Sequence, residues 1–409
     1  MATVQDKLTD VVLATIRSRR NDRDGSPHVA QPIPSRAHGS VSLRPAEFSD
    51  FERVTQLGRR LGQGADSEEN WRRLWVDNPA VQSGRAAGRI GWVLESDGTV
   101  VGFFGTIPLL CEFEGATLVA AATCRFAVDP EFRSSSHLLV SSFLRQKDVD
   151  LFLNTTATPA AGKMMVVLKA TPVPQKDYGT VLFWVLDSRR FMGAVLRKLN
   201  ARPGLAAVGS FAGSFALSGE SRLRGRFPRT VNAGYKVSEC GLDELPVDFD
   251  EFCDEQIRKS TRLFGKRNSA ILRWHFAPPG SKKVCRVLIC REEGQIAGYA
   301  VTRQELDTEI GLQRSSVTDL LVENDDPKVV QTLIAAAHAS AMQSGSHVLE
   351  VLGFPGSIRQ AILEWKPYSR QYPSCPYFYK ARDRALHERL SNVDLWYACP
   401  FDGDATLWP

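Results

Sequence analysis

The chain has 409 residues, of which 43% are hydrophobic and 24% are charged, so it is long enough for two or three globular domains. Its formal net charge of +5 is small for this length and is not gathered with aromatic residues into one basic stripe, which disfavours a nucleic-acid-binding protein. No apolar run approaches the roughly 18–20 residues that span a bilayer. Residues 1–20 also lack the apolar centre of a signal peptide, so we predict no membrane partner and a cytoplasmic location.

The cysteines and histidines point away from disulfide and metal chemistry. The eight cysteines include no C-x-x-C pair and mostly fall in apolar segments, which is typical of reduced, packed thiols. The seven histidines show no metal-ligand spacing. We therefore predict neither a disulfide framework nor a metal site.

Hydrophobic spacing divides the first half of the chain into alternating strands and helices. Residues 1–40 precede them as a segment predicted to be flexible, because most of it is rich in Arg, Asp, Pro, Ser and Gly. Two hairpins are predicted at Asp97-Gly98 and Glu114-Gly115. The predicted strands are 41–45, 90–95, 100–108, 111–113, 116–119, a run ending at 128, 149–154 and 181–186. The predicted helices are 46–61, 68–75, 136–146, 158–169 and 189–199.

Residues 121–144, AATCRFAVDPEFRSSSHLLVSSFL, join an apolar strand to an amphipathic helix. The strand reaches Val128, and the chain then turns at Asp129 and Pro130. Small polar residues at such a turn leave backbone N–H groups unpaired at the positive end of the helix dipole, which suits an anion. The same residues also fit an ordinary strand-to-helix loop with a serine cap.

This stretch resembles motif A of the GCN5-related N-acetyltransferases, V-x-P-x-x-R-x-x-G-x-G/A, which holds the pyrophosphate of coenzyme A. Val128, Pro130 and Arg133 match the motif, whereas Ser136 replaces its glycine and Leu138 its small residue. The resemblance implies acetyl-CoA or another acyl-CoA as co-substrate. It also implies cofactor contacts at Phe126, Ala127, Val128, Arg133, Ser134, Ser135, Ser136, His137 and Leu138.

The next predicted strand ends in Asn154, Thr155 and Thr156. In this family the fourth and fifth strands splay apart, and the thioester and pantetheine bind to the exposed strand edge. The resemblance therefore implies cofactor contacts at these three residues, at a strand end where open α/β sheets place their ligands. The alternative is that they only leave the sheet and cap the helix after Pro159.

Acyl transfer to an amine requires a group that removes a proton and donors that polarise the carbonyl. Family members often use a Glu near the fourth strand and a Tyr on the following helix. This chain has no Glu over residues 123–128, and Val166 stands at the Tyr position. The candidate catalytic residues are therefore Asp319, in an apolar strand, and Tyr178, in a loop. The alternative for Asp319 is an ion pair with an arginine, since burying an unpaired acid is costly.

The second half repeats the element order of the first with almost no residue identity. We predict an α/β protein with two tandem acetyltransferase-like units, each a mixed, mostly antiparallel sheet flanked by helices; the alternative is one large mixed α/β domain. Asp325 and Asp326 take the phosphate position of the second unit and would repel an anion, so only the first unit is expected to bind coenzyme A. The predicted segments are a flexible start (1–40), an acyl-CoA-binding unit (41–199), a connector (200–236), a degenerate unit (237–385) and a tail (386–409).

The function that the resemblance implies is transfer of an acetyl or other acyl group from acyl-CoA to the amine of a small polar acceptor, such as an amino sugar. The tail either offers Asp402 or Asp404 to that acceptor or is an aromatic segment fixed in a groove. Two alternatives remain: a non-catalytic module that binds acyl-CoA or a partner, and a Fem-like aminoacyl or peptidyl transferase. The spread charge argues against the Fem-like enzyme, which needs a basic groove for aminoacyl-tRNA.

Overall fold

The computed structural model describes residues 40–64, 66–200, 214–215, 217–229, 234–372 and 377–408. The predicted flexible segment 1–40 lies outside these residues except for Ser40, and the predicted connector is described only in part. The seven cysteines within them form no disulfide with one another. None of the helices in these ranges is both long and apolar enough to cross a membrane.

The described strands form two sheets that are flanked by helices. The strands are β1 (Ser42–Pro45), β2 (Gly91–Ser96), β3 (Thr99–Phe113), β4 (Ala116–Val128), β5 (Leu151–Asn154), β6 (Thr171–Pro172), β7 (Thr180–Val185), β8 (Tyr235–Cys240), β9 (Phe264–Gly265), β10 (Val284–Glu292), β11 (Gln295–Asp307), β12 (Leu312–Val322), β13 (Val348–Val351), β14 (Tyr368–Gln371) and β15 (Phe378–Ala381). The helices are α1 (Phe51–Arg60), α2 (Glu68–Trp75), α3 (Pro79–Gln82), α4 (Ser136–Leu144), α5 (Pro159–Val167), α6 (Ser188–Lys198), α7 (Phe249–Lys259), α8 (Ser269–Phe276), α9 (Pro327–Gln343), α10 (Gly356–Leu363) and α11 (Arg384–Arg389).

The first sheet has the strand order β1-β2-β3-β4-β5-β15-β6, with β9 paired to β3. Its hairpins form at the predicted turns, where Asp97, Gly98, Glu114 and Gly115 all take positive φ, as two-residue hairpin turns of type I′ require. The predicted strands 100–108 and 111–113 form one continuous strand, β3, of 15 residues, and the predicted strand 116–119 and the run ending at 128 together form β4, of 13 residues.

Helices cover both faces of the first sheet, so the side chains along its strands point alternately into two apolar cores. On one face, α1 and α2 pack through residues such as Trp71 against Ala122. On the other face, α4 packs through residues such as Phe143 against Ala121. The neighbours Ala121 and Ala122 point to opposite faces because side chains alternate along a strand.

The second sheet has the order β14-β7-β13-β12-β11-β10-β8. Its centre is the antiparallel meander β10-β11-β12, and β12 then pairs in parallel with β13, as β4 does with β5. The apolar face of α9, including Val330, Leu333 and Ala337, is fully buried in its core. The predicted fold class is confirmed: the protein is α/β, with two mixed, mostly antiparallel sheets flanked by helices.

Each sheet contains one strand from the other half of the chain. β15, from the second half, lies between β5 and β6 of the first sheet. β7, from the first half, lies between β13 and β14 of the second sheet. The sheets therefore do not follow the predicted boundaries 41–199 and 237–385 at these two strands. Neither half of the chain supplies a complete sheet by itself.

The C-terminal segment belongs to the interior of the protein. Trp396, Tyr397 and Cys399 are almost fully buried, and Leu263 forms a parallel bridge to Trp396. Large aromatic side chains bury much apolar surface, which fixes the segment in place. The predicted tail is thus a packed segment held in a groove between other elements.

Candidate functional site

Parallel strands part in the first sheet. β4 and β5 pair at only three residues each, ending at Ala122 opposite Leu153. β4 then continues, and no described strand pairs with it on that side. Arg125 takes a φ of 45° at a bulge in the β3–β4 register, and such bulges bend a strand. The space between residues 123–128 and 154–156 is called the first strand gap below.

β12 and β13 part in the same way in the second sheet. Their parallel pairing ends at Val317 opposite Val351, and a register shift marks a bulge in the β11–β12 pair one residue later. The space between residues 318–322 and 352–354 is called the second strand gap. The two sheets thus share a geometry that local sequence resemblance indicated only for the first.

The C-terminal segment fills the second strand gap. The Tyr397 hydroxyl donates to the Leu320 carbonyl on the free edge of β12, and the Phe354 N–H donates to the Ala398 carbonyl at 2.9 Å. Gln175 Nε2 donates to the same Ala398 carbonyl at 3.0 Å. The chain itself therefore takes the place that a ligand would need.

The two acids predicted to exclude phosphate from the second unit are held by the protein. Arg262 donates through both terminal nitrogens to Asp325, at 2.8 Å each. Asp326 accepts from the Lys328 N–H at 2.7 Å at the start of α9. A carboxylate thus occupies the positive helix end that an anion would use.

The predicted pyrophosphate loop is helical. Residues Pro130–Ser135 form a 3-10 helix that runs directly into α4. The Phe132 N–H donates to the Asp129 carbonyl at 2.9 Å, so helical bonding uses amides that an open loop would leave free. Ser135, at the N-cap position of α4, makes no side-chain capping bond. Both sequence interpretations, the open cradle and the serine cap, differ from this geometry.

The predicted contacts in this segment divide into surface and core. Arg133, Ser134 and His137 are exposed, and Arg133 makes no ion pair with any residue that the structure describes. Ser135 and Ser136 are half-buried. The remaining predicted contacts pack into the two apolar cores beside the strand and α4; they are Phe126, Ala127, Val128 and Leu138.

Asn154, Thr155 and Thr156 lie at the first strand gap, as predicted. The hydroxyls of Thr155 and Thr156 donate to Asp404 Oδ1 at 3.0 and 2.9 Å. Gly403 lies so close that a Cβ there would be 2.6 Å from Thr155 Oγ1, which requires glycine. Burial raises the pKa of Asp404 to about 6, although these hydroxyl donors oppose the shift. The C-terminal segment therefore also borders this gap.

Asp319 is fully buried and paired, which was the alternative interpretation. Arg267 Nε is 3.1 Å from each of its carboxylate oxygens, and the Tyr299 hydroxyl donates to it at 2.6 Å. Arg267 also lies over the Phe401 ring, 4.6 Å from its centroid. All three polar residues have 0% exposure, so Asp319 fixes the interior, and its position gives no support to the predicted catalytic role.

Tyr178, the other predicted catalytic residue, is also an interior side chain. It is 7% exposed, its hydroxyl donates to the Cys399 carbonyl at 3.4 Å, and its ring packs edge-on against Tyr377. These contacts hold the C-terminal segment against the strands, and the catalytic role of Tyr178 stays a prediction.

A pocket of about 180 Å³ lies on the α1–α2 face of the first sheet. Its walls come from both halves of the chain, so no local motif indicated it. Leu153, the last residue of β5 that pairs with β4 before the first strand gap, lines the pocket together with Gly403. The lining side chains also include Arg85, Leu110, Cys111, Lys266, Ala270, Ile271, Trp274, His275, Phe401 and Asp402.

Asp402 is the buried acid of this pocket. It is 8% exposed, and its Oδ2 accepts from the Cys399 N–H at 2.9 Å. Burial raises the pKa of Asp402 to about 7, against the opposing charge of Arg267. Burial also lowers the pKa of His275 well below its usual value, so the neighbouring imidazole is neutral. The pocket thus contains one carboxyl group that titrates near neutral pH.

No protein-family model and no curated protein sequence matches the chain. Solved structures do match. A GCN5-related N-acetyltransferase from Anabaena variabilis ATCC 29413 aligns with a TM-score of 0.53 at 12% identity, covering 84% of this chain and 73% of that one. A conserved protein from Enterococcus faecalis V583, a probable N-acyltransferase, aligns with a TM-score of 0.51 at 10% identity over 84% and 72% of the two chains. The chain has the GCN5-related N-acetyltransferase fold.

Within the acetyltransferase fold, the two strand gaps differ in what borders them. The first has an exposed arginine at the start of the adjoining helix and a pocket on the opposite face of the sheet. The second is closed by the chain itself. This difference, and not the fold alone, singles out the first gap as the candidate site.

Proposed function

We propose that the protein transfers an acyl group from acyl-CoA to an amine, with the thioester bound in the first strand gap. The observation that carries this proposal is the contrast between the gaps. The edge of β4 beyond Ala122 has no strand partner among the described residues, whereas the edge of β12 bonds to Tyr397. An unpaired strand edge offers backbone N–H groups that can polarise a thioester carbonyl.

The charges around the helical loop support binding of the coenzyme's phosphates. Arg133 is exposed beside the start of α4, and a guanidinium makes short, charge-assisted bonds to phosphate. Two acids lie close by in the sequence: Asp129 is already paired with Arg60 at 2.8 Å and adds little repulsion, whereas Glu131 is exposed on the same helical segment. Acyl-CoA would supply the activated acyl group, and these residues would hold its phosphates.

The lining of the pocket beside the gap bears on which amine is the acceptor. An amino sugar, predicted from the resemblance, presents several hydroxyl groups that each need a hydrogen-bonding partner when buried. The pocket beside the gap is lined mainly by apolar side chains. It therefore favours a less polar amine, and the amino sugar stays a prediction.

Calorimetry with acetyl-CoA, longer acyl-CoAs and free CoA tests the cofactor, and release of free thiol with a panel of amines tests the reaction. We expect one equivalent of acyl-CoA per chain and thiol release that depends on the amine. Absence of acyl-CoA binding would contradict the proposal. Tight binding without thiol release from any amine would favour the non-catalytic alternative.

A further inference from the structure

We propose that the pocket on the α1–α2 face binds the acceptor, that this acceptor is a primary amine carried on an apolar body, and that Asp402 takes the proton from its nitrogen. This inference rests on the proposed function and names the acceptor class and the base for that same site. It rests on the lining of the pocket, on the carboxylate inside it and on its position against the first strand gap.

The walls of the pocket select for an apolar body. Leu110, Cys111 and Leu153 come from the sheet, and Trp274 and Phe401 come from the second half; all five are buried. Burying a ligand hydroxyl against such walls without a partner costs about 1–3 kcal/mol. A sugar is therefore disfavoured here, and an alkyl or aryl amine is favoured.

Asp402 distinguishes an amine from the acyl chain of the cofactor as the occupant. A carboxylate has about four acceptor positions. The Asp402 carboxylate uses one of them to accept a hydrogen bond from the Cys399 N–H. An acyl chain would cover the remaining positions without offering a donor, which is costly. An amine or ammonium group offers N–H donors, so it complements the acid.

The position of the pocket brings the amine to the thioester. Gly403 lines the pocket and packs against Thr155 at the first strand gap. α4, with the proposed phosphate site, packs on the opposite face of the sheet through Phe143, whereas the pocket shares its face with α1 and α2. The two substrates would thus approach the gap from opposite faces and meet between β4 and β5.

The outer part of the pocket restricts the far end of the amine. Arg85 is exposed, and Lys266 is 3.7 Å from Glu112. Glu112 offsets the charge of Lys266, so Arg85 is the cation that opposes a second positive charge, and the far end of the acceptor is expected to be neutral or anionic. The charged or titratable groups that face Asp402 itself are Arg267, Asp319, Cys111, Tyr377, Cys399 and the pocket residues Lys266 and His275.

The reaction balances with no further reactant. The ammonium R–NH₃⁺ gives one proton to the Asp402 carboxylate, and the free nitrogen pair attacks the thioester carbonyl carbon. The C–N bond forms, the C–S bond breaks with its electrons on sulfur, and the second nitrogen proton goes to the thiolate. The products are the amide and CoA-SH, and Asp402 returns its proton to water.

The test compares wild type with Asp402→Asn and Ala270→Trp, using acetyl-CoA and thiol release. Ala270 is exposed on α8 and lines the pocket, so a Trp there blocks it with little demand on folding; Ala277, exposed but outside the pocket lining, gives the matched control Ala277→Trp. The amines are hexylamine, 6-aminohexanoate, 1,6-diaminohexane and glucosamine.

We expect hexylamine and 6-aminohexanoate to react about tenfold or more faster than the diamine and glucosamine, judged by kcat/KM. Asp402→Asn should lower kcat roughly 10²–10⁴-fold without changing acetyl-CoA affinity, and it should abolish the rise of the wild-type rate through pH 7. Ala270→Trp should raise the KM for hexylamine about tenfold or more, and Ala277→Trp should leave it unchanged.

Three results would overturn the inference. They are full turnover in Asp402→Asn, an unchanged amine KM in Ala270→Trp, and a preference for glucosamine. If Ala270→Trp instead changes only the preferred acyl length, the pocket holds the acyl chain and the inference is also wrong. Failure of the proposed function looks different, because wild type would then bind no acyl-CoA in calorimetry without any amine.

Discussion

The two strand gaps of this protein arise from the same backbone geometry, but among the described residues only the second is closed by the chain itself. In both, a parallel pair ends near a bulge and one strand continues with a free edge. In the second, Tyr397 and Ala398 bond to the surrounding chain, and a buried ion pair anchors the segment that supplies them. The same backbone geometry is thus present in both sheets, and in the second sheet the C-terminal segment closes it.

The largest expected effect comes from breaking the anchor of the second gap. Arg267→Met should lower the free energy of unfolding by about 3–5 kcal/mol, because it leaves Asp319 buried without its cation. Urea denaturation measures the loss. Arg291→Met, at the half-exposed pair with Asp248, is the control and should cost at most about 1 kcal/mol. Equal losses in the two variants would show that the buried pair is not an anchor.

Asp402, in the pocket beside the first gap, should make the free energy of unfolding depend on pH. Burial raises the pKa of Asp402 from its usual 3.8 to about 7, so the folded state binds a proton more tightly than the unfolded state. Its contribution to stability therefore falls as pH rises from about 4 to about 7, by at most about 1.4 kcal/mol per pH unit.

Urea denaturation of Asp402→Asn and wild type at pH 5 and pH 8 tests this dependence. The variant should gain stability relative to wild type on going to pH 8. Asp243→Asn, at a side chain with 94% exposure, is the control and should show no such change. A difference between variant and wild type that does not depend on pH would contradict the raised pKa.

The cofactor should distinguish the two gaps by charge. Arg133→Glu should weaken acyl-CoA binding by about 1–3 kcal/mol, because it replaces a phosphate partner with a like charge. Lys328→Glu, at an exposed cation beside the corresponding helix of the second unit, should bind as wild type does. Calorimetry gives both affinities and the stoichiometry. Two equivalents per chain, or equal losses in both variants, would show that the second unit also binds the cofactor.

The smallest expected effect concerns the filling of the second gap. Tyr397→Phe removes the hydroxyl that donates to the Leu320 carbonyl, and a buried carbonyl left without that donor costs about 1–2 kcal/mol. Thermal unfolding should register the loss, while acyl-CoA affinity stays unchanged. A lower affinity would show that the two gaps are coupled through the C-terminal segment.

Much of the candidate site could be inferred from local sequence, and its chemistry could not. The change from an apolar strand to polar residues after Leu153 indicated the strand end at Asn154, and Arg133 stood out as a cation beside a helix start. The helical state of residues 130–135 was missed because Pro, Glu and Ser suit a loop and the first turn of a helix equally.

The residues assigned to proton transfer show where sequence reasoning ended. Asp319 was predicted to be catalytic because it is an acid in an apolar strand. Its partner Arg267 lies 52 residues away in the chain, beyond the reach of local pattern. Asp402 was named, together with Asp404, as an acid that the tail offers to the acceptor, with a packed aromatic segment as the alternative, but no pocket was predicted around it. Its importance follows from burial beside Leu153 and Trp274, which are far from it in sequence.

The sequence by itself determined the elements, because helix and strand periods and turn residues act over a few positions. It determined the hairpins at Asp97-Gly98 and Glu114-Gly115 and the repeated order of elements. Only the tertiary structure decided that β7 and β15 exchange sheets and that the C-terminal segment fills one gap and borders the other. A short apolar strand fits the edge of either sheet, so its place is chosen by long-range packing and hydrogen bonding that local pattern does not contain.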